Sequence, residues 1–181
     1  MNKLFWGFFF LFLNFSVNMD VSSLQLLPDW VGFILLYAAC NELESESELF
    51  QKPRPFCIGL AVYTGLLWLM DLLGIGANLG IVSWVLSLAA TCLNLYVSML
   101  IIDAIANVEM RRNYDLGSAH LRKVWKVLTV CTIAASVLLI VPVIAAVCIL
   151  VATVTGIVLL VAVHRTRNAY QQMLIEQSKP F

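Results

Sequence analysis

Apolar and polar positions fall along this chain in long blocks rather than short periods, and the blocks predict the elements. The run from Val127 to Val163 contains no charged residue. One helix over that run would be roughly 55 Å long, at about 1.5 Å per residue, whereas a bilayer's hydrocarbon core is about 30 Å thick. Pro142 sits near the middle, and its missing N–H and fixed φ favour ending one helix and starting the next. The run therefore predicts two helices joined by a tight turn at Val141–Pro142.

The other blocks complete a predicted set of six helices, at about 4–17, 28–43, 55–74, 81–106, 119–141 and 142–170, with a loosely ordered tail over 171–181. The first block is rich in Phe and barely long enough to span a bilayer. It either crosses or forms a re-entrant hairpin with the second, both ends returning to one side. It opens like a signal peptide, but no small-x-small cleavage site follows, so it is read as retained. Pro28 and Asp29 make a helix start, the glycines from Gly74 to Gly80 a turn, and Gly117-Ser118 a break with a new cap. The alternating Glu42, Glu44, Glu46 and Glu48 are read as a helix end and solvated loop.

Composition agrees with the pattern. Of 181 residues 61% are hydrophobic and 12% charged, with a mean hydropathy of +0.91. A soluble domain averages about 45–50% apolar and 25% charged, so the excess calls for lipid. The fold class expected is all-α, a polytopic membrane helix bundle forming a single domain. Eleven basic and eleven acidic residues cancel, which gives no reason to expect a nucleic-acid partner.

The placement of charge says more than its sum. With six crossings, Lys3, Lys52, Arg54, Arg111, Arg112, Arg122, Lys123, Lys126, Arg165, Arg167 and Lys179 all fall on one side. Basic residues in short loops stay cytoplasmic, so both termini are expected inside, in a bacterial cell membrane. The same inner loops suit anionic lipid headgroups.

Chemistry is sparse. Cys40, Cys57, Cys92, Cys131 and Cys148 lie in or beside apolar segments without metal-ligand spacing, and no hydrolase, zinc-protease or phosphate-loop motif occurs. No enzyme activity, cofactor or metal is expected. Asp29, Asp71 and Asp103 lie in or beside spanning segments and are the candidate functional acids, since intramembrane carboxylates are costly. Asp29 suits helix capping or stabilisation of the helix dipole; Asp71 and Asp103 suit solvated interfaces. Should Asp20, Asp29 and Asp71 converge at the outer surface, they could hold a proton or a cation.

Ser83, Ser87, Thr91, Asn94 and Ser98 recur on one face of the fourth segment. Such stripes let helices approach and bond, so helix packing is expected, with a permeation path as the sharper alternative. Smaller faces recur at Cys57, Ala61, Thr64, Gly65, Trp68 and Asp71 and at Ala145, Cys148, Ala152 and Gly156.

The run Leu26-Leu27-Pro28-Asp29-Trp30-Val31-Gly32-Phe33, with Leu11 to Phe15 before it and Glu48-Leu49-Phe50 and Arg54-Pro55-Phe56 after it, resembles a group of small uncharacterised multi-pass membrane proteins of Gram-positive bacteria. The resemblance covers about a third of the chain and implies location and fold, not activity. Two functions remain in competition. One is a non-enzymatic subunit or accessory factor acting through helix contacts, with another membrane protein or a second copy as partner. The other is a small transporter or channel for a proton, cation or small solute.

Overall fold

The structure, a computed structural model, describes residues 1–12, 16–19, 22–25, 28–72, 80–137 and 142–178, and the side chains of 1–12, 28–70, 85–135 and 147–177. Six α-helices carry the fold: α1 (Asn2–Phe12), α2 (Asp29–Leu43), α3 (Arg54–Leu72), α4 (Gly80–Arg112), α5 (Ser118–Val137) and α6 (Pro142–Ser178). A 3-10 turn, Glu48–Gln51, precedes α3. Between α1 and α2 lies a two-stranded antiparallel ribbon, β1 (Ser16–Met19) and β2 (Ser22–Gln25), with Ser16 opposite Gln25.

Local chemistry explains the starts. Pro28, in extended conformation, precedes α2, and Pro142 is itself the first residue of α6; at such positions a missing N–H costs nothing. Gly117, at φ +77°, turns the chain into α5, and Asn113, at φ 48°, ends α4. Both conformations are left-handed, which Gly and Asn tolerate better than other residues.

Several expected bounds are corrected. The first helix ends at Phe12 rather than 17, and part of the expected polar connector is ribbon. At about 16 Å, α1 is too short to cross a bilayer by itself. α4 continues to Arg112, six residues beyond the expected end, whereas the ends expected for α3 at 74 and for α5 at 141 lie outside the described residues. The turn expected at Val141–Pro142 lies outside the described residues up to Val141. Over 171–178 the expected loose tail is helix, because Met173 is buried and Arg112 reaches Gln177.

Each helix packs on its neighbour in sequence, and α6 returns onto α1, so the order around the molecule closes. The α3–α4 contact is the thinnest of these. The core sits at the end holding the N-terminus of α1, the C-termini of α2, α4 and α6, and the starts of α3 and α5. Leu4, Phe8, Leu36, Phe50, Ile101 and Leu121 are fully buried there. Further along, the helices expose large apolar side chains, among them Val62, Leu66, Val130, Val147 and Leu150. Two stretches, Val85–Arg112 and Val147–Gln177, are long and apolar enough to cross a membrane.

Candidate functional site

The polar chemistry of the described residues is concentrated at the core end. Lys3 pairs with Glu42 at 3.2 Å, tying the start of α1 to the end of α2. Arg54, opening α3, holds Glu44 at 2.5 Å and reaches the carbonyl of Cys40. The bond from Arg54, helped by Gln51, keeps the Glu44 carboxyl below its usual range.

The segment from Glu44 to Pro53 is not the solvated loop that its glutamates suggested. Ser47 and Phe50 are buried, and the 3-10 turn packs on α4. The Ser47 hydroxyl accepts from the Leu49 N–H and donates to Asn107 Oδ1 at 2.9 Å. Beside it, Arg112 donates through Nε and an Nη to one Glu46 oxygen, at 3.0 and 2.8 Å, and through its other Nη to Gln177. Burial, then the neighbouring Glu46 carboxylate, push the Tyr170 hydroxyl up to about 12. Burial also lowers the Met1 amino group.

The α4–α5 connection is closed by side chains. One Glu109 oxygen accepts from the N–H groups of Leu116 and Ser118, at 3.2 and 2.9 Å, and Thr166 of α6 donates to the Leu116 carbonyl at 2.8 Å. The turn at Gly117-Ser118 expected from sequence is present, but Glu109 supplies the acceptor. Sequence reading missed Glu46, Ser47, Asn107, Arg112, Glu109 and Thr166. The only local signal was the Ser47 cap; the partners lie fifty or more residues apart or across a turn.

The predicted acids separate. Asp103 remains accessible to solvent and is paired with Arg122 at 2.5 Å. Asp29 is the first residue of α2, placed to suit the helix dipole rather than as a cap, since Pro28 holds the cap position, and its Oδ1 is buried with no hydrogen-bond partner among the described residues. The side chains of Asp71 and Asp20 lie outside the described residues, and with them the expected outer convergence. Among the described residues no three His, Cys, Asp or Glu side chains group as a metal site.

The α4 stripe changes character along its length. The Ser83 side chain lies outside the described residues. Ser87 is exposed, Thr91 and Asn94 are half-buried, and Ser98 is buried. Thr91 donates to the Ser87 carbonyl and Ser98 to the Asn94 carbonyl, both at 2.9 Å, so these hydroxyls bond within α4 rather than across to a neighbour. Asn94 Oδ1 is buried without a partner among the described residues. The other two stripes face neighbours: a Cβ added to Gly65 would lie 3.7 Å from Trp30 of α2, and one added to Gly156 would lie 3.9 Å from Phe12 of α1.

Where α3 and α4 meet thinly, a groove of about 380 Å³ opens, walled by Phe56, Gly59 and Tyr63 on one side and Leu86, Ala89 and Ala90 on the other. A Cβ on Gly59 would touch nothing within 4 Å. No family model matches this chain, and neither does a curated protein or a solved structure.

Proposed function

We propose that this chain is a multi-pass integral membrane protein, without enzyme activity, that acts as an accessory subunit through helix contacts. The observation that carries the reading is the α3–α4 face. There small residues, Gly59, Ala89 and Ala90, line an apolar groove, and Ser87 stands exposed beside it. Small residues are what membrane helices use to approach closely. In each of the two membrane-length stretches only 28% of the 18-residue apolar segment is buried, which suits lipid-facing helices better than the core of a soluble domain.

In this reading α3 to α6 cross the bilayer, and α1 and α2 enter together from the core end as a short hairpin. The apolar part of α6 ends at Val163, and its remainder stands in water. The basic residues of the described chain gather at the core end, so that end and both termini are cytoplasmic. A membrane-protein partner helix is the occupant that suits the groove.

Mild-detergent affinity purification from native membranes tests this. The wild-type chain is expected to bring down one recurrent membrane protein in stoichiometric amount, and Ala89→Trp, which fills the groove, to lose it. Recovery of the chain alone, or equal recovery of the partner by the variant, overturns the reading.

A second reading, passage of a proton, cation or small solute, draws support from the buried Asp29 oxygen, which has no partner among the described residues. Flux through reconstituted vesicles that disappears in Asp29→Asn would favour it; flux unchanged by that variant would count against it.

A further inference from the structure

A second concavity, of about 230 Å³, lies between α4 and α5 and is lined by Met99, Ile102, Asp103, Arg122, Trp125 and Lys126. We propose that it holds one anionic phospholipid, its phosphate between Lys126 and Arg122 and an acyl chain over Met99 and Ile102. The site rests on the membrane reading above and assigns a residue-level role to the basic inner end.

Its position along the helices comes first. On α4 the apolar run from the outer end stops at Asp103; on α5 the charges stop at Lys126, after which Val127 begins the uncharged run. The Asp103–Arg122 pair holds these two borders at one height. An amphiphile whose charged and apolar parts meet at that height matches the cleft along its whole length.

The polar groups favour an anion. The charged groups lining the cleft are Asp103, Arg122 and Lys126. Asp103 is neutralised by one Arg122 nitrogen, leaving that guanidinium's remaining donors. Lys126 is exposed and makes no ion pair among the described residues. The net positive charge is therefore carried at the rim, where a phosphodiester would stand. Arg122 and Lys126 lie four residues apart, on one face of α5. Trp125, between them in sequence, donates its indole N–H to the Leu95 carbonyl at 3.2 Å, which fixes the ring as a wall. An indole with its polar atom satisfied suits the headgroup boundary.

The test uses the full chain in phosphatidylcholine nanodiscs containing a minor fraction of phosphatidylglycerol, with retained lipid counted by native mass spectrometry. The wild-type chain is expected to keep one phosphatidylglycerol. Lys126→Gln should retain roughly fivefold less, the effect of one basic residue near a membrane surface, and Lys126→Arg should restore it. Lys52→Gln, the same charge change at another exposed position, should leave retention unchanged. Equal retention by Lys126→Gln and the wild type overturns the site. Displacement by millimolar inorganic phosphate also overturns it, since the cleft would then be an anion site without lipid selectivity. Alkaline carbonate washing of native membranes separates this from the membrane reading. Release of the chain would sink that reading, whereas a retained chain with unaltered variant binding sinks the cleft alone.

Discussion

Gly7 of α1 and Gly32 of α2 meet backbone to backbone: a Cβ added to either would stand 3.1 Å from the carbonyl oxygen of the other. Each is also closed by a leucine of the opposite helix. Leu36 would lie 2.7 Å from a Cβ on Gly7, and Leu11 would lie 2.9 Å from a Cβ on Gly32. Close approach, rather than a special φ, is what requires glycine here. It gives Gly32 of the Leu-Pro-Asp-Trp-Val-Gly run a packing role and adds Gly7, which no sequence pattern singled out.

Gly32→Ala is expected to cost about 1–3 kcal/mol, the usual penalty for overpacking, because a carbonyl oxygen cannot rotate away as a leucine end can. Gly59→Ala, with open space around it inside α3, should leave stability unchanged or raise it by up to about 1 kcal/mol. Thermal unfolding of both variants in one detergent decides the matter. An unchanged midpoint for Gly32→Ala would refute the close contact.

The buried Ser47–Asn107 bond should show in a double-mutant cycle. Each single alanine variant leaves the other polar group without its partner, at about 1–3 kcal/mol. The double variant should lose less than the sum of the two. Additive losses would mean that the bond does not couple the 3-10 turn to α4.

Glu109→Ala removes the acceptor for two N–H groups at the start of α5, and about 0.5–2 kcal/mol is expected from comparable cap losses. Hydrogen exchange at the amides of Leu116 and Ser118 gives the local readout. Both should exchange faster in the variant while those of α2 do not change.

Glu44 supplies a pH dependence. Its folded-state pKa lies below the usual carboxylate value because the charged form accepts bonds from Arg54 and Gln51. The stability it contributes is present above the unfolded-state value and is lost as pH falls through the lowered one. Glu44→Gln should therefore unfold with a shallower acid dependence than the wild type. Superimposable pH profiles would remove Glu44 from the account.

Much of the helical layout was legible because apolar blocks and proline positions are local properties. α2 begins and ends within a residue of the expected bounds, and α6 starts at Pro142. Helix ends that depend on distant partners were not legible. α4 runs on to Arg112 because that residue reaches Glu46 and Gln177, and α6 runs on because Tyr170 and Met173 are buried. The glutamate-rich segment misled for the same reason. Its charges point to solvent in any local reading, yet Phe50 is wholly buried and Glu46 has a partner sixty-six residues away.

The candidate acids show the same division. Their residue type and place in apolar surroundings could be read directly, but pairing is a property of two chain positions at once. Asp103 found Arg122 from the following helix, while Asp29 Oδ1 found no partner among the described residues.

The sequence by itself determined the helical character of the chain and the start of α6 at Pro142. Those follow from solvation and backbone geometry, which act residue by residue. Only the tertiary structure decided that α1 and α2 touch through two glycines and that the 3-10 turn seals α4. The thin contact of α3 with α4, which leaves a groove, was decided there too. Those depend on which side chains meet across the closed order of helices, and contact between distant positions leaves no periodic trace in a single sequence.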